Sequence, residues 1–352
     1  MVKPASGRGV RDPRDAGATL RDVAERAGVS VSTASRALHG QRRVRGELVA
    51  RVRAAAVEVG YQPNLAARFL RTSRTMDLGL AFRRMDTPAA LDLIDGIGAG
   101  AHEGGYNLMV TSSRGDRDRY REAIQHLLQR RVDGLLMSSP AGVAEELAAF
   151  RRQGVPVLAL ITRGPGAEDL PLVNADVAPA FNAAFRRLHD LGHRAITVLT
   201  AGWGEMPEGG PPHQPPPGRV HPNRALVRTR WVASTATPDE IVAALRAERE
   251  ADPPSTAFIC DQRFMPAVLD VLRSWDMKFP EDVSLASYLD SRWLDEVMNP
   301  PLAAIHVDVV ELGVAAARMM TKWLAGEPPP PLTQLGLARW IERPSVGPVP
   351  VL

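Results

Sequence analysis

Residues 19–40, TLRDVAERAGVSVSTASRALHG, read as two short helices joined by a tight turn. Thr19 can cap the first helix, with Asp22 at its third position near the positive end. Leu20, Val23, Ala24 and Ala27 keep the i, i+3, i+4, i+7 spacing of one buried face. Gly28 stops that helix where the backbone must turn left-handed. Ser30 then caps a second helix whose apolar side, Val31, Ala34, Ala37 and Leu38, is expected to dock on the first. Its other side presents Ser32, Thr33, Ser35 and Arg36. Small hydroxyls with one guanidinium suit a helix that enters a DNA groove, because Ser and Thr fit against phosphates and base edges while Arg reads guanine with two bonds. An ordinary surface pair of helices would show much of the same pattern, and the residues up to 71 decide between the two.

A third helical pattern runs over about 47–59, with Leu48, Val49, Val52, Ala56 and Val59 inward, and after Gly60 comes YQPNLAARFLR at 61–71. The two stretches, T-L-x-D-V-A-x-x-A-G-V-S-x-S-T-x-S-R-x-L-x-G at 19–40 and G-Y-x-P-N-x-x-A-R-x-L-R at 60–71, resemble the lactose-repressor/galactose-repressor family of bacterial transcription regulators. The resemblance continues more weakly to about residue 346. It implies that Ser32, Thr33 and Arg36 reach base edges or nearby phosphates, and that Thr19, Ser35 and Arg43 contact phosphates. Ser35 could instead serve as an intrahelical cap. Tyr61, Asn64, Arg68 and Arg71 complete the implied DNA-binding set. Leu70 is implied to wedge into a central base step through the minor groove and kink the duplex. The alternative for Leu70 is packing on the head or on a partner's hinge.

The charge distribution agrees with a DNA-binding head. Residues 1–75 carry 15 Lys or Arg and 6 Asp or Glu, a charge of +9; the remainder carries 28 and 34, a charge of −6. A basic head on an acidic body fits a nucleic-acid module with a separate sensing body. Since 40 of the 43 basic residues are Arg, individual arginines carry less meaning. No apolar run approaches the roughly 18 residues of a membrane span, and no hydrophobic signal segment opens the chain. The single cysteine, Cys260, excludes an internal disulfide and suits a reducing, cytoplasmic setting.

The chain reads as four segments: a disordered tail at 1–17, the helix-turn-helix head at 18–62, a hinge helix and linker at 63–75, and a two-lobed effector-binding and dimerisation domain at 76–346. Strand-like runs at 78–82, 108–111, 134–138, 155–161, 195–200, 257–260, 283–288 and 303–307 alternate with helices such as 89–104, 117–130, 178–191, 265–276 and 309–325. Alternation of this kind predicts α/β parallel sheets. The resemblance implies a periplasmic-binding-protein-like body with a ligand cleft between lobes, the first lobe reclaiming residues near 305–327. The proline-rich stretch 202–224 reads as an irregular loop, where the family normally has a helix whose arginine holds a sugar.

The expected effector residues are Asp86, Arg163, Asp261, Gln262 and Asp290, at strand ends where open α/β sheets place ligands. This cleft departs from sugar-binding relatives. Thr162 precedes Arg163 in place of an Asp, Leu289 precedes Asp290, and Ala89 and Ala90 replace aromatics. The same residues could simply be solvated loop positions of a decayed site. No catalytic constellation, metal site or cofactor is expected. Gly96 to Gly100, G-I-G-A-G, sits within a helical pattern rather than after a strand, so it is no phosphate loop. His189 and His193 flank a helix end in capping positions, and Ser138 and Ser139 at a strand end have no assignable base.

These features predict a DNA-binding transcription regulator, a repressor acting as a homodimer on a palindromic operator, with a sugar or related polar metabolite as effector. No leucine heptad at the C-terminus suggests a tethered tetramer. A constitutive DNA binder that has lost its ligand is the alternative. A sugar transport protein is contradicted by residues 19–71, and an enzyme lacks an acid/base or metal cluster.

Overall fold

The structure is a computed structural model that describes residues 18–38, 46–61, 74–138, 140, 142–163, 166–202, 226–233, 236–290 and 297–349. The expected tail at 1–17, most of the hinge at 63–75 and nearly all of the proline-rich stretch lie outside them. The chain divides into two compact units, 1–74 and 75–352.

In the first unit, α1 (Leu20–Arg26), α2 (Val31–Leu38) and α3 (Gly46–Glu58) enclose a small core. Thr19 and Asp22 form a reciprocal cap, with the Thr19 N–H donating to the Asp22 carboxylate at 2.7 Å. Gly28 adopts φ 64°, letting the Val29 N–H close back on Ala24 O at 2.9 Å. Ser30 Oγ accepts from the Thr33 N–H at 3.2 Å and starts α2. Val23, Ala34, Ala37 and Val52 are fully buried; the small alanines let three short helices approach closely. Val31 differs from expectation. It is 44% exposed at the first position of α2.

The second unit holds two six-stranded sheets. The first is built from β1 (Asp77–Phe82), β2 (Asn107–Ser112), β3 (Gly134–Met137), β4 (Val157–Leu160), β5 (Leu172–Ala175) and β11 (Thr333–Leu335), in the order β11-β5-β4-β3-β1-β2. The second is built from β6 (Ala195–Gly202), β7 (Leu226–Ala233), β8 (Ala257–Asp261), β9 (Ser284–Tyr288), β10 (Ala303–Val307) and β12 (Ala338–Ile341), in the order β12-β10-β9-β8-β6-β7. Pairing is parallel except between β10 and β12. The lobes repeat one strand order, except that the edge strand β11 runs parallel to its neighbour and β12 antiparallel. Helices α4 (Pro88–Glu103), α5 (Arg117–Gln129), α6 (Ala144–Arg152) and α10 (Val309–Leu324) serve the first lobe. Helices α7 (Ala178–Asp190), α8 (Pro238–Arg249) and α9 (Met265–Ser274) serve the second.

The chain crosses between lobes after β5, after β10 and after β11. The first lobe thus recovers α10 and β11, while residues 303–307 stay in the second sheet. The reason α10 docks on α4 lies in the glycines. A Cβ on Gly96 would run into the Val310 carbonyl, one on Gly100 would lie 2.8 Å from Val314 O, and one on Gly313 would lie 2.5 Å from Leu93 O. The G-I-G-A-G run is therefore a helix-packing surface.

Candidate nucleic-acid interface and ligand cleft

The outward side of α2 is polar and small. Ser32 and Arg36 are exposed, Thr33 and Ser35 half-buried. Ser30 Oγ lies 2.9 Å from Ser32 Oγ and 2.8 Å from Thr33 Oγ1, which fixes the hydroxyls at the helix start. The Arg36 Nε–H donates to Ser32 O at 3.2 Å, folding the guanidinium stem along its own helix. Thr19 is exposed at the N-terminus of α1, its hydroxyl donating to Asp22 at 2.8 Å. That hydrogen bonding with the Thr19 backbone, and then its hydroxyl, holds the Asp22 carboxyl below its ordinary value. Tyr61 packs against the head core, its N–H donating to Ala56 O at 2.9 Å. Arg43, Asn64, Arg68, Leu70 and Arg71 lie outside the described residues.

In the body, a cavity of about 120 Å³ is lined from both lobes at the carboxyl ends of their strands. Asp261 ends β8 and Gln262 follows it; both are buried and both line the cavity. Ser138 follows β3, and Asn174 sits within β5. Among the described residues, Ser138 Oγ, Asn174 Oδ1, Gln262 Oε1 and Gln262 Nε2 are buried without a hydrogen-bond partner. Ile161 and Leu289, on the same wall, have φ of 69° and 67°. Left-handed backbone at non-glycine residues stores strain of roughly 1–2 kcal/mol each, and for a β-branched isoleucine it is a true outlier.

The other expected effector residues have different placements. Asp86 is exposed, ion-paired to Arg84, and lines an outer cavity of about 640 Å³ that shares Arg84 and Arg263 with the inner one. Burial opposes the Asp86 charge, but the Arg84 hydrogen bond and the attraction of Arg84 and Arg263 outweigh it, so its carboxyl is held below the ordinary value. Arg163 is half-buried beyond β4 and is not on the inner wall. Asp290 turns away to Arg343, whose Nη1 and Nη2 each donate at 3.0 Å, with His306 Nδ1 at 3.3 Å. Sequence reasoning noticed Ser138 without giving it a role and passed over Asn174, whose strand is four residues long.

His193 also finds a structural task. It is fully buried, its Nδ1 accepting from Thr256 Oγ1 at 2.8 Å and its Nε2 donating to Gly347 O at 3.1 Å. It thereby ties the C-terminal segment to the second lobe. Among the described residues, no group of His, Cys, Asp or Glu could hold a metal ion, and no helix is long and apolar enough to cross a membrane.

Comparison with known proteins gives three family matches. The model for bacterial regulatory proteins of the lacI family matches residues 19–64. The model for periplasmic binding proteins and the sugar binding domain of the LacI family matches 75–205, and that for a periplasmic binding protein-like domain matches 185–346. The ribose operon repressor of Escherichia coli (strain K12) is 28% identical over 312 residues, covering 85% of this chain and 91% of its own. The HTH-type transcriptional repressor PurR of Histophilus somni (strain 2336) is 24% identical over 312 residues, covering 87% and 92%. The lac repressor dimer bound to operator and the anti-inducer ONPF has the same fold at a TM-score of 0.69, with 20% identity over 94% of this chain and 99% of that one. A complex of the transcriptional regulator CelR with cellobiose aligns at 0.61, with 23% identity over 93% and 99%.

Proposed function

This chain belongs to the lacI family of bacterial regulatory proteins, and we propose that it is a transcriptional repressor whose hold on a DNA operator is set by a small molecule in the cleft of its body. Members of the family are transcriptional regulators rather than enzymes. The observation that carries the reading is the pairing of two devices in one chain: a polar-faced recognition helix started by Ser30, and a two-lobed body whose cavity wall keeps buried polar groups unpaired. Those unpaired groups favour a working ligand site over a constitutive DNA binder, since leaving them unused costs stability.

In this reading α2 enters the major groove. Ser32, Thr33 and Arg36 read base edges; Thr19, Ser35 and Arg43 hold phosphates, as do Tyr61, Asn64, Arg68 and Arg71 around the hinge. Leu70 wedges the minor groove. One head makes few base contacts, so two chains act as a homodimer on a near-palindrome, and the cost of roughly 1–3 kcal/mol per wrong base pair accumulates over two half-sites. The repressor acts in the cytoplasm, where its DNA is. Ligand closing the lobes biases the body between two arrangements; moving a population from mostly bound to mostly free takes roughly 10⁴-fold differential affinity.

The test is selection of genomic fragments with the full chain, followed by titration at several salt concentrations. Binding should be tight on a near-palindrome, with log K falling roughly 0.9 per phosphate neutralised against log salt. Arg36→Ala should cost roughly 1–3 kcal/mol and relax preference at one position per half-site. No selected sequence and a flat salt response would refute the reading. Equal weakening on all sequences would make Arg36 a phosphate contact instead.

A further inference from the structure

Ser138, Asn174 and Gln262 are 3%, 5% and 7% exposed, and each turns an unpartnered polar atom toward one cavity among the described residues. Buried polar atoms are paired in almost all native structures, so three such residues on one wall mark groups kept for a ligand. Gln262 is the most informative. Both its carbonyl oxygen and its amide nitrogen are buried and unpaired, so it presents an acceptor and a donor side by side. Asn174 Oδ1 adds an acceptor, and the Ser138 hydroxyl can play either part. Ser138 and Asn174 belong to the first lobe and Gln262 to the second, so one molecule satisfying all three would bridge the cleft.

Two of the charges on this wall have partners, and the Arg263 guanidinium lines it as a further cation. Arg84 gives Nε and Nη2 to Asp86 and its Nη1 to Arg114 O at 3.3 Å. Asp261 accepts from the Arg263 N–H at 2.9 Å. Burial, reinforced by the Asp261 charge, pushes the Tyr288 phenol up and keeps it neutral. A carboxylate has no proton to give Gln262 Oε1 or Asn174 Oδ1 and would leave both acceptors unpaired. Much of the remaining wall is apolar, including Phe82, Leu93, Ile161, Leu289, Val309 and Leu312. A polyol would have to bury hydroxyls against it without partners.

Resting on the effector reading above, we propose that the cleft takes an uncharged, amide-bearing molecule with an apolar body. The ligand's C=O accepts from Gln262 Nε2, its N–H donates to Gln262 Oε1, and a second N–H reaches Asn174 Oδ1. Carboxamides and lactams fit this description; free sugars and carboxylates do not.

Benzamide, benzoate and ribose separate the possibilities, since benzoate is the anionic isostere of benzamide and ribose is a polyol. The full chain is titrated with each by calorimetry and thermal denaturation, and operator binding is measured on the same preparation. Benzamide should bind and raise the melting temperature, with benzoate and ribose at least about tenfold weaker. Gln262→Leu should lose at least about tenfold in benzamide affinity, with Asn174→Leu as a second variant should the first fail to fold. Ribose or benzoate binding as tightly as benzamide, no binding of benzamide, or undiminished benzamide binding by both folded variants would each overturn the ligand class. Any of these results alongside intact operator binding leaves the regulator reading in place, whereas failure of the parent chain to bind operator strikes that reading alone.

Discussion

Ile161 and Leu289 are counterparts. Each follows the same strand of its lobe, β4 in one and β9 in the other, and each turns left-handed with φ of 69° and 67°. Each donates its N–H to the next strand over, Ile161 to Val173 O at 3.0 Å and Leu289 to Ile305 O at 3.1 Å. The repeat of an unfavourable conformation at equivalent places shows that the lobes share the way a strand end is turned into the cavity. Relief of strain predicts a small cost for Ile161→Gly, within about 1 kcal/mol, because roughly 1–2 kcal/mol of backbone relief offsets the half-buried side chain. Val173→Gly, at a fully buried strand position, should cost about 3 kcal/mol. Urea denaturation of both variants checks this; equal losses would mean that the Ile161 backbone carries no strain.

The glycines of α4 allow a matched pair of substitutions one turn-fraction apart. Gly96→Ala drives a methyl into the Val310 carbonyl of α10, where backbone cannot yield cheaply, and should destabilise by at least about 2 kcal/mol. Gly98→Ala meets nothing closer than Leu108 Cδ2 at 4.0 Å and should stabilise by roughly 0.5–1 kcal/mol through helix propensity. Melting curves that rank the two the other way would refute the packing role.

Burial holds the His193 imidazole below its ordinary value of 6.5, against the raising effect of its bond to Gly347. The unfolded chain therefore takes up this proton at a higher pH than the folded chain. The contribution is fully present above about pH 6.5 and is lost as pH falls from there. His193→Gln should be less stable at pH 7, since it disturbs the tie to Gly347, yet should lose less on going from about pH 7 to about pH 5. An unchanged pH slope in the variant would show that His193 does not contribute to it.

Asp290 and Arg343 form a two-bond pair with side chains 12% and 18% exposed, and Arg343 Nη1 also donates to Leu302 O at 2.6 Å. Asp290→Asn should cost about 2 kcal/mol, because a partly buried guanidinium loses its counter-charge. The response of operator binding to effector should persist. Unchanged stability with a lost response would instead make Asp290 a ligand contact, as its sequence position suggests.

The head was legible almost residue by residue, because short-range signals govern it: Thr19 and Asp22 cap, Gly28 turns, and alanines keep the inner face. Val31 escaped because helical spacing cannot tell which positions a neighbouring helix covers. In the body, the buried strands stood out as apolar runs. Strands β7, β11 and β12 lie at sheet edges, and in β11 and β12 the side chains are half-buried or exposed, so the apolar signal fades. Four-residue β5 was hidden by its own Asn174. The cleft was legible as strand ends, which located Asp261 and Gln262. Which polar atoms stay unpaired depends on neighbours distant in sequence, so the share of Ser138 and Asn174 could emerge only from three-dimensional packing.

The docking of α10 on α4 bears on how this chain comes off the ribosome. Arg318 meets Glu103 at 2.9 Å across 215 residues of sequence. All five parallel strands of the second lobe are synthesised between those two partners. The first lobe, although translated first, cannot cover its α4 face until the last part of the body has emerged. Its glycine-lined surface must wait for all but the last edge strand of its neighbour to be made. The five parallel strands of the second lobe, β6 to β10 between residues 195 and 307, are thus all made before α10 can complete the first, and its edge strand β12 follows last.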